Sequence, residues 1–261
     1  LKPGDVPDRD TTIRNHFFTN NKLIMKLLLI SNSTNAGEEY LGWPRQDIQA
    51  FLSDTGVKRI LFIPYAGVTV SWDNYEAKVK SVFQLLGYDI YSIHHEEDPI
   101  KAVVEAEAIA VGGGNTFNLV REMQLNGTLQ AIKGRVLAGV PYMGWSAGSN
   151  VAGPSLKTTN DMPIVQPISF DCMGLVPFQI NPHYLDAHPS GHGGETREQR
   201  IEEFLEANPG IYVAGLREAC SLQFDHGNLK LVGRHPMRVF RYGLSPREVE
   251  PGSDVNFMMI E

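Results

Sequence analysis

Cysteine is scarce in this chain. Cys172 and Cys220 are its whole complement among 261 residues, which excludes a small disulfide-held scaffold and is compatible with a reducing compartment. No apolar run approaches the ~18 residues that a membrane-spanning helix needs. Basic charge is not in excess: 23 Lys and Arg against 30 Asp and Glu give a net charge of -7. Non-specific binding to nucleic acid or to a membrane surface is therefore not expected. What remains is an ordinary globular balance, 42% hydrophobic and 20% charged, which excludes disorder as the main state.

Residues 1–24 differ from the rest. They lack the apolar core of ~7–15 residues of a signal peptide, and Asp5, Asp8 and Asp10 do not suit an Arg-rich transit peptide. Met25 opens the run MKLLLIS and reads as a natural start, with residues 1–24 a leader or appended extension without order. The expected address is the cytoplasm.

From Met25 onward, short apolar runs alternate with amphipathic ones. Strands are expected at Lys26–Ile30, Arg59–Pro64, Tyr88–Ile93, Ala108–Val111 and Val140–Gly144. Pro44 sits where the first position of a helix to about Leu52 should fall. Trp72, Tyr75, Val79, Val82, Phe83 and Leu86 recur at helical spacing, and Gly87 stops that helix. Pro99–Ala106 reads as a short helix, Asn115 as the cap of the next, and another helix starts at Ala147. Such alternation predicts an α/β fold: an open, mostly parallel sheet with helices on both faces, here a single domain over residues 25–261. Sites in such sheets lie at the carboxyl ends of the strands, which directs attention to the loops after Ile30, Pro64, Val111 and Gly144. Beyond Asn150, prolines punctuate a stretch with few clear elements. A helix is expected at Glu195–Ala207, a strand at Ile211–Leu216, a hairpin from Ser221–Phe224 and Leu229–Val232, and a last strand at Met237–Tyr242.

Gly144-Trp145-Ser146-Ala147-Gly148 is a G-x-S-x-G sequence between an apolar strand and a helix start. That is the context in which a serine hydroxyl is presented on a sharp turn as a nucleophile. The Ala147 N–H at the helix start can face a developing oxyanion. The alternative is a glycine-rich turn whose serine only caps a helix.

Val111-Gly112-Gly113-Gly114-Asn115 also ends a strand. It lacks the spacing of a dinucleotide fingerprint, and no Walker lysine follows. Either Gly114 brings a second N–H to an oxyanion or the run is a tight turn without a ligand.

A serine needs a base, and histidine is the usual one near neutral pH. His183, after Phe178–Ile180 and Pro182, is expected on the same sheet edge as Ser146, although eight histidines compete. Asp161 and Glu218 are both candidates for the acid that orients the imidazole. On the helix expected from Glu195, Arg197 falls in the inward arc of Ile201, Phe204 and Leu205, with Arg200 toward the rim. An inward guanidinium calls for an anion, either a buried carboxylate or an acidic substrate.

These segments taken together resemble peptidase E, the α-aspartyl dipeptidase family of serine peptidases. The resemblance rests on LLLISNST (Leu27–Thr34), FIPYAGVT (Phe62–Thr69), VGGGNTF (Val111–Phe117), GWSAGSN (Gly144–Asn150), TTNDMPIV (Thr158–Val165), QINPH (Gln179–His183) and GETREQRI (Gly194–Ile201). It covers Met25 to about Val232. It implies a fold similar to class I glutamine amidotransferase domains, with serine in place of cysteine. It implies hydrolysis of dipeptides with an N-terminal aspartate, with neither metal nor organic cofactor. By the resemblance Ser146 is the nucleophile, His183 the base, Glu218 or Asp161 the third member, and Arg197 the residue that recognises the substrate aspartate. Where the family has GLPEGN, this chain has Gly215-Leu216-Arg217-Glu218-Ala219-Cys220, which keeps the acid and loses the proline and a glycine.

The partner implied is a small acidic dipeptide. Three other readings compete: a cyanophycinase-like hydrolase of isoaspartyl bonds on the same fold, a metallohydrolase built on His183, His188, His192 and Glu195, and a non-catalytic binding module. The sequence does not fix the oligomeric state.

Overall fold

The computed structural model describes residues 24–186 and 193–260. The expected extension at residues 1–24 lies outside them, Ile24 excepted.

Seven strands form the main sheet: β1 (Leu27–Ile30), β2 (Arg59–Ile63), β3 (Asp89–Ser92), β4 (Ala108–Val111), β5 (Tyr142–Trp145), β8 (Cys220–Asp225) and β9 (Asn228–Gly233), in the order β3-β2-β4-β5-β1-β8-β9. The first five are parallel, and β8 and β9 add an antiparallel hairpin beside β1. This is the expected open α/β sheet. Its central strands β1, β4 and β5 are buried throughout because both faces are covered.

Alternate residues of each strand serve opposite faces. Leu28 and Ile30 of β1 join Phe62, Ala110 and Trp145 in packing against Ile48, Phe51 and Leu52 of α1 (Arg45–Ser53) and Val79 and Phe83 of α2 (Trp72–Leu85). Leu27 and Leu29 face the other way with Ile63 and Val111. That face packs on Val103 of α3 (Pro99–Glu105), Leu119 and Met123 of α4 (Thr116–Leu125), and Ile132 and Val136 of α5 (Thr128–Leu137). Asn115 caps α4 as expected, its side chain accepting the Asn118 N–H at 3.1 Å. Pro44 is the residue before α1 rather than its first helical position.

A second sheet was not expected. It contains β6 (Gln179–Tyr184), β7 (Tyr212–Arg217), β10 (Met237–Arg241) and β11 (Arg247–Val249), in the order β11-β10-β7-β6. Its residues Ala214, Leu216, Met237 and Val239 share the core on the α3–α5 face. On its other side Val213, Tyr184 and Phe240 pack against Ile201 and Leu205 of α7 (Arg197–Ala207). That helix starts two residues later than expected, because Thr196 and Gln199 form a reciprocal capping box that fixes its beginning. Among the described residues, no helix is long and apolar enough to cross a membrane.

Candidate active site

Ser146 stands between β5 and a single-turn helix, α6 (Ala147–Asn150), at φ 54° and ψ -111°. A non-glycine residue in that region is strained, and the surroundings hold it there. Its N–H donates to Ile30 O at 3.0 Å. Ser149 Oγ lies 2.7 Å from both Ile30 O and Gly144 O, and Tyr142 Oη donates to Gly148 O at 2.6 Å. The flanking glycines are required sterically: a Cβ on Gly144 would lie 2.3 Å from Gly148 O, and one on Gly148 2.2 Å from Val111 O. The turn thus leaves the Ser146 hydroxyl at the carboxyl edge of the sheet, partly open to solvent.

His183 comes from the second sheet, not from the edge that carries Ser146. It is the residue added where the β6–β7 register shifts between Pro182 and Tyr184, and its φ is 53°. A bulge of this kind bends a strand and re-aims a side chain. Here it turns the imidazole toward the main sheet, with Nε2 3.1 Å from Ser146 Oγ and Nδ1 2.8 Å from Glu218 Oε1. Glu218 lies in the two-residue link between β7 of the second sheet and β8 of the main one. Hydroxyl, imidazole and carboxylate therefore meet at the seam between the sheets.

Ser31 and Asn32, in the loop after Ile30, hold that seam, and no local pattern in the sequence assigns them that role. Buried Ser31 accepts the His183 N–H at 2.9 Å and donates to Leu216 O at 2.7 Å. Asn32 Oδ1 accepts the N–H of Ala219 at 2.9 Å. Ala219, where the family pattern has glycine, is itself left-handed at φ 59°, a conformation that costs an alanine ~1–2 kcal/mol.

Asp161 does not touch His183. Its Oδ2 accepts the Thr116 N–H at 2.7 Å and the Thr159 hydroxyl at 3.0 Å. It is an anion at the N-terminus of α4, where the helix dipole favours it.

Gly114 adopts φ 139°, with its Cα against Ala66 O. Its neighbour Gly113 is the one that abuts the serine: a Cβ there would lie 3.0 Å from Ser146 Cβ. The N–H groups of Gly113, Gly114 and Ala147 have no partner among the described residues. They remain free to donate to an oxygen near Ser146.

Arg197, half-buried at the first position of α7, donates to Asn160 Oδ1. Asn160 Oδ1 also accepts from Asn181, and its amide donates to Pro182 O at 2.6 Å, beside His183. Among the described residues Arg197 forms no ion pair. Burial first, then the like charge of Arg200, depress the pKa of the guanidinium, while Asp161 acts in the opposite sense. Of the metallohydrolase set, His188 and His192 lie outside the described residues. Glu195 is exposed and paired with Arg200 at 3.6 Å.

A hydroxyl on a strand-to-helix turn, with an imidazole at hydrogen-bond distance and a carboxylate behind it, is the arrangement of a serine hydrolase, here on an α/β sheet. The model of Peptidase family S51 matches residues 27–232, and the chain belongs to that family of serine peptidases. It is 49% identical over 234 residues to Peptidase E of Nostoc sp., covering 90% of this chain and 96% of that one. It is 46% identical to Peptidase E of Streptomyces coelicolor, covering 90% and 95%. The fold is similar to that of a peptidase from an acI-B1 actinobacterium, at TM-score 0.64 and 18% identity over 90% of this chain and 98% of the other.

Proposed function

We propose that this chain is a serine dipeptidase that hydrolyses dipeptides with an N-terminal aspartate through an acyl-enzyme. The observation that carries the reading is the contact of Ser146 Oγ with His183 Nε2 at 3.1 Å and of His183 Nδ1 with Glu218 Oε1 at 2.8 Å. His183 takes the hydroxyl proton as Ser146 Oγ attacks the peptide carbonyl carbon. Glu218 holds the imidazole with Nδ1 protonated and stabilises the imidazolium. The N–H groups of Ala147 and of Gly113 or Gly114 donate to the oxyanion. Collapse breaks the C–N bond, His183 gives its proton to the leaving amine, and an aspartyl ester on Ser146 remains. Water, deprotonated by His183, attacks that ester and frees aspartate and the serine.

The preference for aspartate rests on Arg197. A half-buried guanidinium whose partner is a neutral amide is suited to a substrate carboxylate, because a bidentate pair satisfies its donors. The free, buried Cys172 and Cys220 fit a cytoplasmic place of action.

The test is hydrolysis of α-aspartyl-leucine, β-aspartyl-leucine and leucyl-leucine by the purified chain and by Ser146→Ala. Turnover of the α-aspartyl dipeptide, abolished in the variant, is the expected result. Cleavage of the β-aspartyl isomer alone would replace this reading with the isoaspartyl one, and turnover that survives Ser146→Ala would remove the nucleophile.

A further inference from the structure

We propose that Asp73, Glu76, His94 and His95 form a binding site for one divalent transition-metal ion of the zinc type. The four lie at the carboxyl end of β3, at the sheet edge three strands from β5, or about 14 Å at ~4.8 Å per strand. The site is independent of the serine chemistry.

Asp73, in the first turn of α2, and Glu76, three residues on, share one face of the helix, and His94 and His95 follow β3 in a short 3₁₀ turn. One nitrogen or oxygen from each lies within 4.8 Å of all the others. Asp73 Oδ1 is 3.0 Å from His94 Nε2 and 3.3 Å from His95 Nε2, and Glu76 Oε2 is 2.9 Å from His95 Nε2. A tetrahedral ion with bonds of ~2.0–2.1 Å spaces its ligands about 3.3–3.4 Å apart. The three closest pairs already match that spacing to within a few tenths of an ångström, and the other pairs, within 4.8 Å, would draw in around the ion.

Three further observations favour a cation over simple ion pairing. First, neither carboxylate is needed as a cap, because Ser71 Oγ already accepts the Asn74 N–H at 3.2 Å. Second, among the described residues no Lys or Arg pairs with Asp73 or Glu76; both meet only histidines. Two carboxylates and two neutral imidazoles carry a charge of about -2, which a divalent ion balances. Third, His94 is oriented from behind. Its Nδ1 lies 2.6 Å from Oγ of buried Ser92, and that hydroxyl lies 3.4 Å from Phe62 O. With Ser92 Oγ placed to accept an Nδ1 proton, a cation entering beside Asp73 would meet the Nε2 lone pair in place of the present 3.0 Å hydrogen bond from Nε2 to Asp73 Oδ1. That is the outer-shell pattern of metal-bound histidine.

The ion would fasten α2 to the turn after β3. Trp72 packs edge-on against both His94 and Tyr65, and its Nε1 donates to Gly67 O at 3.2 Å, so the adjoining loop would stiffen too.

The experiment titrates ZnCl2 into the metal-stripped, tag-free full chain by calorimetry and follows thermal unfolding in parallel. Asp73→Asn/His95→Gln, at two exposed positions, serves as the comparison. One equivalent of zinc should bind the wild type and raise its Tm by about 5–10 °C at a hundredfold excess over Kd. The double variant should bind at least ~100-fold more weakly and show no rise. Absence of stoichiometric binding to the wild type overturns the proposal. So does equal binding by the double variant, which would place the ion elsewhere, as at His183.

Discussion

The backbone N–H of His183 donates to the side chain of Ser31, 152 residues away in sequence, at 2.9 Å. The reason lies in the bulge: the register of the β6–β7 ladder passes over His183, and Ser31 Oγ supplies an acceptor from the other sheet. The same oxygen donates to Leu216 O, two residues before Glu218. One hydroxyl thus fixes the backbone of His183 and the strand end that leads to Glu218. Ser31→Ala strands a buried donor and a buried acceptor, at ~1–3 kcal/mol each, and frees the imidazole to drift. We expect kcat on an Asp-X dipeptide to fall about 10- to 100-fold with KM within a few-fold, and Ser31→Thr to recover most of it. Loss confined to thermal stability, with kcat intact, would show that Ser31 only fastens the sheets.

Glu218 and Asp161 separate by the same reasoning. Glu218 contacts His183 Nδ1, whereas Asp161 satisfies the N-terminus of α4. Glu218→Gln should lower kcat by ~10²- to 10⁴-fold, since an amide does not hold the imidazolium as a carboxylate does. Asp161→Asn should cost ~1 kcal/mol of stability and leave kcat within a few-fold. Steady-state rates and urea unfolding of both variants decide the matter; the reverse pattern would exchange the two roles.

The elements around Ser146 were legible because they are local. A strand, a Gly-x-Ser-x-Gly turn and a helix start occupy consecutive residues, and the steric demands at Gly144 and Gly148 are visible in the motif. His183 was legible as a residue and not as a position. Its placement depends on β7, β10 and β11: β7 pairs with β6 and with β10 across tens of residues, and β11 is only three residues long. Two sheets meeting at a seam leave no periodic signal in the chain. Ser31 and Asn32 look like any polar residues after a strand, and what they do depends on Leu216 and Ala219 far downstream. Gly113 was within sight in the glycine run, but only close approach to Ser146 Cβ distinguishes it from Gly114. For residues 151–178 the expectation of few elements holds, with a single 3₁₀ turn at Leu156–Thr158. Order there comes from side chains that bind backbone, such as Gln124 to residues 168, 169 and 171.

Arg197 makes a prediction about selectivity. Its hydrogen-bond partner among the described residues, Asn160, is neutral, so a substrate carboxylate would be the counter-charge. Loss of such a partner costs ~2–5 kcal/mol. Arg197→Ala should therefore lose about 10²- to 10³-fold in kcat/KM on an Asp-X dipeptide. Its rate on leucyl-leucine should be little changed. Arg197→Lys should recover only part, because an ammonium lacks the planar fork. Wild-type kcat/KM of the alanine variant on Asp-X would dismiss Arg197 as the specificity residue.

Arg217, the neighbour of Glu218, makes the last prediction. Its guanidinium binds Asp186 at 2.5 and 2.7 Å and Glu248 at 2.7 and 3.0 Å, tying the ends of β6, β7 and β11 together. Hydrogen bonds from Arg217 hold the carboxyls of both Asp186 and Glu248 below their ordinary pKa, with Arg238 adding to the effect on Glu248. A depressed folded pKa means stability that is fully present above the unfolded value, near ~4, and is lost as pH falls through the folded one. Both carboxylates are more than a third exposed, so solvent screening keeps the gain small, on the order of 1 kcal/mol for the cluster. Urea unfolding of wild type and Glu248→Gln should differ by that amount at pH 7, and the gap should close toward pH 3. A gap that stays constant over that range would mean that the cluster acts by packing and not by charge.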